Sequence, residues 1–160
     1  MIQNSINLIS FIDIPYDLQM KTRNWRNSKN ITKYFKIPHI TMEQHKKWLL
    51  SLHKEKPTNV ALMIYKNNKP IGVTYFHSIN YTQKNADWGI YIYYKREQSI
   101  GIGKVVIQKC MKYAQEVLKL STIYLDVLND NFRAIRLYEG ADFKQIQSND
   151  VEFLRYMKRL

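Results

Sequence analysis

Residues 98–115 read QSIGIGKVVIQKCMKYAQ, and the reading of the whole chain turns on them. The chain has only 5 glycines in 160 residues, yet Gly101 and Gly103 stand one residue apart here. Behind them Ile102, Val105, Val106, Cys110, Tyr113, Ala114 and Val117 recur at helical spacing, which predicts a helix over 101–118. A helix N-terminus exposes unpaired N–H groups and a partial positive charge, and both suit phosphate. Glycine lets such a ligand approach because no Cβ intervenes. A helix start that merely needs glycine conformations reads the same way. Two phosphate loops fail: GIGKV lacks the Walker spacing, and Val106 stands where a dinucleotide fingerprint needs a small residue. What survives is Gln98-x-x-Gly101-x-Gly103.

Outward from this stretch the chain alternates helical and strand patterns. Residues 6–14 predict a strand ended by Pro15, and 17–27 a helix. Residues 40–54 predict a second helix, with Thr41 and Gln44 at capping-box spacing. Residues 60–79 read as a hairpin around KNNKP, and 86–94 as an aromatic strand. Residues 122–128 form a short apolar run of the buried-strand type, and 129–139 a short helix capped by Asp130 or Asn131. Two strands finish the chain. This is a mixed α/β layout with an antiparallel meander, in which one crossover brings strands 86–94 and 122–128 side by side.

Length and composition fit one globular domain over residues 1–160. No apolar run is long enough for a bilayer, and the N-terminus has no signal-peptide pattern, so a cytoplasmic protein is expected. The single cysteine, Cys110, excludes an intramolecular disulfide and falls on the buried side of its helix. A net charge of +12 favours anionic partners, although the positive residues form no run.

About thirty residues after the glycines comes NDNFRAIRLYEGADF, residues 129–143. The glycine motif and this segment together resemble the GNAT superfamily of N-acetyltransferases. Its acyl-CoA signature is Gln/Arg-x-x-Gly-x-Gly/Ala. Asn131, Ala134, Ile135, Leu137, Tyr138 and Phe143 match its second segment, while Asp142 stands where the family has glycine. The resemblance spans nearly the whole chain. It implies a mostly antiparallel twisted sheet of about seven strands flanked by about four helices. It also implies a V-shaped splay between strands 86–94 and 122–128. Acetyl-CoA would be the cosubstrate, with no metal. Pantetheine would bond the strand around Ile92 and Tyr93. The pyrophosphate would rest on Gln98, Ser99, Ile100, Gly101, Ile102, Gly103 and Lys104, with Asn131 touching the cofactor, capping its helix, or both.

The implied reaction is direct transfer, without an acyl-enzyme. Tyr138 is the candidate acid: it stands seven residues after Asn131, on the same helix side, and a phenol's ordinary pKa of ~10 is close to that of a thiol leaving group. A core tyrosine is the competing reading. Asp87 and His77 are candidate bases, each with a solvent-facing strand role as its rival.

The run Trp25-Arg26-Asn27, followed by Ile31, Ile40, Glu43, His45 and Trp48, is similar to the acetyltransferases of pseudaminic-acid biosynthesis. These acetylate the 4-amino group of a UDP-4-amino-4,6-dideoxy sugar used on flagellin or other surface glycans. In that reading Trp25 stacks on uracil, Arg26 pairs with the diphosphate and His45 bonds a sugar hydroxyl. Core packing competes for Trp25 and His45. Other amines remain open as acceptors: a protein N-terminus, a polyamine or an aminoglycoside. With 13 acidic residues against 25 basic ones, a polycationic acceptor is disfavoured. A nucleic-acid-binding module is a distant alternative: it needs a basic stripe with aromatic interleaving, which KYFK and YYKR offer only weakly, and no nucleic acid and no membrane is expected as partner. A homodimer fits the superfamily, but no stretch announces an interface.

Overall fold

A computed structural model describes residues 2–160. After α1 (Ile2–Ser5) come β1 (Ile6–Ser10), α2 (Tyr16–Asn27), α3 (Lys29–Thr32) and α4 (Met42–Ser51). The meander β2 (Val60–Lys66), β3 (Lys69–Asn80) and β4 (Asn85–Ile92) follows. Then come α5 (Ile102–Glu116), β5 (Thr122–Leu128), α6 (Phe132–Gly140), β6 (Lys144–Ile146) and β7 (Phe153–Arg159). The expected order holds, and the short α1 and α3 are additions. No helix among the described residues is long and apolar enough to cross a membrane.

Local chemistry explains most boundaries. Thr41 and Gln44 form the predicted capping box: Gln44 N donates to Thr41 Oγ1 at 3.1 Å, and Thr41 N donates to Gln44 Oε1 at 2.8 Å. The β2–β3 turn uses Asn67 and Asn68 at φ 49° and 63°, a conformation asparagine tolerates. The first strand is shorter than the predicted 6–14. It ends at Ser10 because Phe11 turns into the core, where it is 1% exposed. The buried Gln19 amide then donates to the Phe11 and Ile14 carbonyls at 2.7 and 3.1 Å, replacing ladder partners.

The seven strands form one sheet in the order β1-β2-β3-β4-β5-β7-β6, antiparallel except for β4 beside β5. That parallel pair joins through three registers: Asn85↔Thr122, Ala86↔Ile123 and Asp87↔Tyr124. Beyond Asp87 the two strands part, which is the expected splay. One sheet face packs α5 through Ile102, Val106, Ile107 and Cys110. The other packs α2 and α4 through Trp25 and Leu49 against Met63 and Val73. Cys110 is fully buried, and burial pushes its thiol up to about 12, so it is an inert core residue.

The end of α6 explains the family glycine. Phe143 N donates to the Tyr138 carbonyl and Asp142 N to the Glu139 carbonyl, a Schellman turn. That turn needs a left-handed residue at position 142, and Asp142 supplies it at φ 66°. Aspartate is one of the few side chains that tolerates this region. The turn also sets the Phe143 ring 6.1 Å from Tyr138.

Candidate active site

The two glycines of the opening stretch have different duties. Gly101 is the N-cap of α5 at φ 89°, a left-handed conformation that L side chains rarely adopt. Gly103 has ordinary helical geometry, but a Cβ there would lie 2.8 Å from Leu137 of α6, so it lets the two helices meet closely. With Ser99 also left-handed at φ 62°, the loop turns sharply into α5. No side chain caps that helix, so its first N–H groups face the loop unpaired. Arg133 of α6 braces the loop: Nη1 donates to Ser99 Oγ at 3.0 Å and Nη2 to Gln98 Oε1 at 2.9 Å. Gln98 Nε2 in turn donates to the Ile92 carbonyl at 2.9 Å. Lys104, Arg133 and Arg136 line the same cleft of about 410 Å³, giving it a basic rim.

The splay leaves one edge of β4 open, and strand alternation tells which groups face it. Tyr93 N donates to the Ile71 carbonyl at 2.9 Å. In an antiparallel ladder alternate residues point their N–H and C=O to opposite sides. Odd-numbered β4 residues therefore bond β3, while Ile90 and Ile92 present their groups to the gap. This corrects the sequence reading of Tyr93: its amide is taken by β3, and its ring stacks on Trp25 at 5.0 Å. Ile92 does line the cleft.

A second cavity, about 280 Å³, opens on the other side of the splay. It shares Tyr34, Phe35, Ile90, Asn131 and Tyr138 with the first, so the two meet along these residues. Asn131 caps α6, its Oδ1 accepting from Ala134 N at 3.4 Å. Two turns on, Tyr138 sits at the seam, 8% exposed and edge-on to Trp88 at 6.1 Å. Burial, assisted by Tyr75, pushes its pKa well above that of an ordinary phenol. Its hydroxyl is protonated at neutral pH and has no hydrogen-bond partner among the described residues.

Asp87 and His77 both line the second cavity and face each other across β3 and β4. Asp87 is engaged: Arg155 Nη1 lies 2.5 Å from its Oδ1, an ion pair without aligned hydrogen-bond geometry. His77 is exposed, with Nδ1 3.2 Å from Ser78 Oγ. Although the residue as a whole is solvent-accessible, the cleft walls partly desolvate its ring, which lowers its pKa, opposed by Asp87 and Asp126 and assisted by Arg155. It is therefore neutral at pH 7 and able to accept a proton.

A third lobe of about 390 Å³ continues from the second, sharing Arg26, Phe35, Ile37, Tyr75 and His77. Its back wall carries His45 and Trp48. His45 is 5% exposed and neutral, since burial lowers its pKa; Nε2 donates to the Gln19 carbonyl at 2.9 Å. Trp25 is corrected. It is 2% exposed, covered by Tyr93, and lines none of the three cavities, so it is a core residue with no face free for a base. Arg26 lines both the second and the third cavity while holding the loop 33–41: its guanidinium donates to Thr32 Oγ1 at 3.0 Å and the Ile37 carbonyl at 2.7 Å, over the Phe35 ring. Asn27 fastens that loop by a reciprocal pair of 2.8 Å bonds with Ile40.

Sequence reasoning missed Arg133, Tyr75, Lys36 and the roof that loop 33–41 makes over both cavities. Arg133 lay inside the quoted 129–143 segment, at a position the family pattern leaves free. Tyr75 alternates with His77 on one strand face, a signal that was legible. Its hydroxyl would touch any Cβ at position 89, so Gly89 makes room for it. Burial pushes Tyr75 up to about 12.

Among the described residues no group of three or more His, Cys, Asp or Glu is gathered for a metal. A family model described as acetyltransferase (GNAT) matches residues 21–143. Acetyltransferase PseH of Campylobacter jejuni is 32% identical over 129 residues, covering 81% of this chain and 78% of that protein. The spermidine N(1)-acetyltransferase of Vibrio cholerae is 28% identical over 122 residues, covering 75% and 69%. A crystal structure of a Vibrio cholerae spermidine N-acetyltransferase with CoA and spermine superposes with a TM-score of 0.82 at 21% identity, covering 98% and 96%. With its splayed β4, its uncapped α5 and the family pattern across most of its length, the chain belongs to the GNAT acetyltransferase family and is an acyltransferase.

Proposed function

We propose that this enzyme transfers the acetyl group of acetyl-CoA directly to the 4-amino group of a UDP-linked 4-amino-4,6-dideoxy sugar. One observation carries the mechanism: the basic-rimmed cleft and the acceptor-side cavity meet at Tyr138. The open N–H groups of Ile90 and Ile92 hold the thioester arm and the oxyanion that develops on its carbonyl oxygen. The uncapped start of α5, with Lys104, Arg133 and Arg136, receives the phosphates. His77 takes the proton of the attacking amine, directly or through a water, because Asp87 is held by Arg155. The new C–N bond forms as the C–S bond breaks, and Tyr138 donates its proton to the departing thiolate.

The acceptor reading is supported by the identity to acetyltransferase PseH and by the resemblance of the run Trp25-Arg26-Asn27 read in the sequence. The lobe behind Tyr75 suits a nucleotide, since Trp48 and Phe35 offer aromatic surface and Arg26 a cation. The product would enter flagellin-type glycan assembly, and the enzyme would work in the cytoplasm. A polyamine acceptor is the second reading, favoured by Asp87 and Asp126 in the acceptor cavity and by the spermidine-acetylating relative.

Thiol release from acetyl-CoA, with product masses, separates these readings. The UDP-4-amino-4,6-dideoxy sugar, spermidine, a ribosomal N-terminal peptide and an aminoglycoside serve as acceptors. Acetylation of the UDP-sugar alone is the expected result. Acetylation of another amine instead would overturn the substrate while keeping the chemistry.

A further inference from the structure

The mouth of the acceptor cavity holds more charge than the reaction uses. Asp87 of β4, Asp126 of β5 and Asp150 of the β6–β7 loop converge there, from three separate parts of the chain. Two cations answer them. Arg155 of β7 lies 2.5 Å from Asp87 and 3.3 Å from Asp126. Lys36 reaches in from loop 33–41, with Nζ 3.2 Å from Asp126 and 3.3 Å from Asp150. Its ammonium also lies 5.2 Å from the centre of the Phe153 ring. Lys36, Asp126 and Phe153 all line the cavity that contains Tyr138.

An alkylammonium between two carboxylates, over an aromatic ring, is the arrangement by which a protein would bind a polyamine. Here the chain supplies that ammonium itself. We propose that Lys36 is a specificity-determining residue: its ammonium occupies the cationic subsite of the acceptor cavity and excludes polycationic amines, leaving the cavity to acceptors without extra positive charge. This rests on reading that cavity as the acceptor site.

The tether makes the exclusion effective. Loop 33–41 is fastened to α2 by Arg23 Nε on the Ile40 carbonyl at 2.9 Å, by Arg26 on the Ile37 carbonyl and by the Asn27–Ile40 pair. A group held this way competes at an effective concentration on the order of millimolar, against which a free polyamine has to bind. Specificity of this kind comes from an element that disfavours the wrong partner, not from a new contact to the right one. With Lys36 neutralised, Asp150 would lose its cation and Arg155 would be left to Asp87 and Asp126, so one cation would remain for three carboxylates and the mouth would attract cations. The attraction would fade with salt, because these carboxylates are partly exposed.

The test is thiol release with spermidine, comparing wild type, Lys36→Met, Lys36→Arg and the triple variant Lys36→Met/Asp126→Asn/Asp150→Asn. Calorimetric acetyl-CoA binding by each protein reports an intact donor site. The expected result is a rise in spermidine kcat/KM of about tenfold or more in Lys36→Met. Lys36→Arg should stay near wild type, and the gain should vanish in the triple variant and shrink at high salt. Spermidine kcat/KM within twofold of wild type in Lys36→Met would overturn the proposal, and so would an equal gain in the triple variant. If wild type instead fails on the UDP-sugar, the substrate reading falls alone, because the spermidine comparison does not depend on that sugar.

Discussion

The two sides of the splayed sheet are built differently. The side proposed for the donor is made mainly of backbone: an open strand edge and an uncapped helix start, turned by left-handed residues. Its phosphate seat, residues 98–104, is contiguous in sequence, because one loop entering one helix creates it, and Arg133 and Arg136 of α6 only add charge to the rim. The acceptor side is made of side chains. Arg26 comes from α2, Phe35 and Lys36 from a loop, Tyr75 and His77 from β3, Asp87 from β4, Asp126 from β5 and Phe153 from β7. Backbone sites are bound to a motif, whereas side-chain sites can be rewritten one residue at a time. Relatives 32% and 28% identical to this chain carry different acetyltransferase names.

The seam should break most severely. Tyr138→Phe removes the acid without altering packing, and kcat should fall by about tenfold or more while calorimetric acetyl-CoA affinity stays the same. Turnover within twofold of wild type would take Tyr138 out of the chemistry. Donor-side damage should come next. Gly101→Ala forces a Cβ into φ 89°, which costs about 1 kcal/mol, and should weaken acetyl-CoA binding about fivefold as the loop shifts. Unchanged binding would mean that the loop does not seat the phosphates. Gly103→Asp would reduce affinity for two reasons, repulsion of phosphate and contact with Leu137, so Gly101 is the cleaner probe.

Acceptor-side effects should be smaller and selective. Asn27→Ala removes both bonds to Ile40, so the acceptor KM should rise about threefold with the acetyl-CoA KM unmoved. Equal shifts in both constants would show that the loop serves both cavities alike. The pH profile sharpens the same distinction. As a base, His77 must be neutral, and its pKa is lowered from 6.5, so kcat/KM should hold through pH 7 and fall only as acid protonates the ring. His77→Gln should flatten that acid limb. A limb that survives would assign it to another group.

The contrast also explains what could be read in advance. Gln98, Gly101, Gly103, Asn131 and Tyr138 stand in contiguous patterns, because backbone turns, caps and helix faces repeat at fixed spacing. Asp142 looked like a departure, yet it keeps the left-handed turn that the family glycine provides. Trp25 and Tyr93 show the limit. Each stood in a site-like stretch, but each occupies the other's ring face, and no one-dimensional pattern reports such a pairing. Lys36 was equally hidden, since its partners Asp126 and Asp150 lie far along the chain and meet it only through the sheet.

A crystal structure with CoA bound would decide whether Tyr138 is the acid, because it locates the sulfur relative to the seam. The sulfur is expected within about 4 Å of the Tyr138 hydroxyl, close enough to receive its proton. The phosphates should lie against residues 99–104. A sulfur more than about 7 Å from that hydroxyl, beyond the reach of a single bridging water, would contradict an acid role for Tyr138.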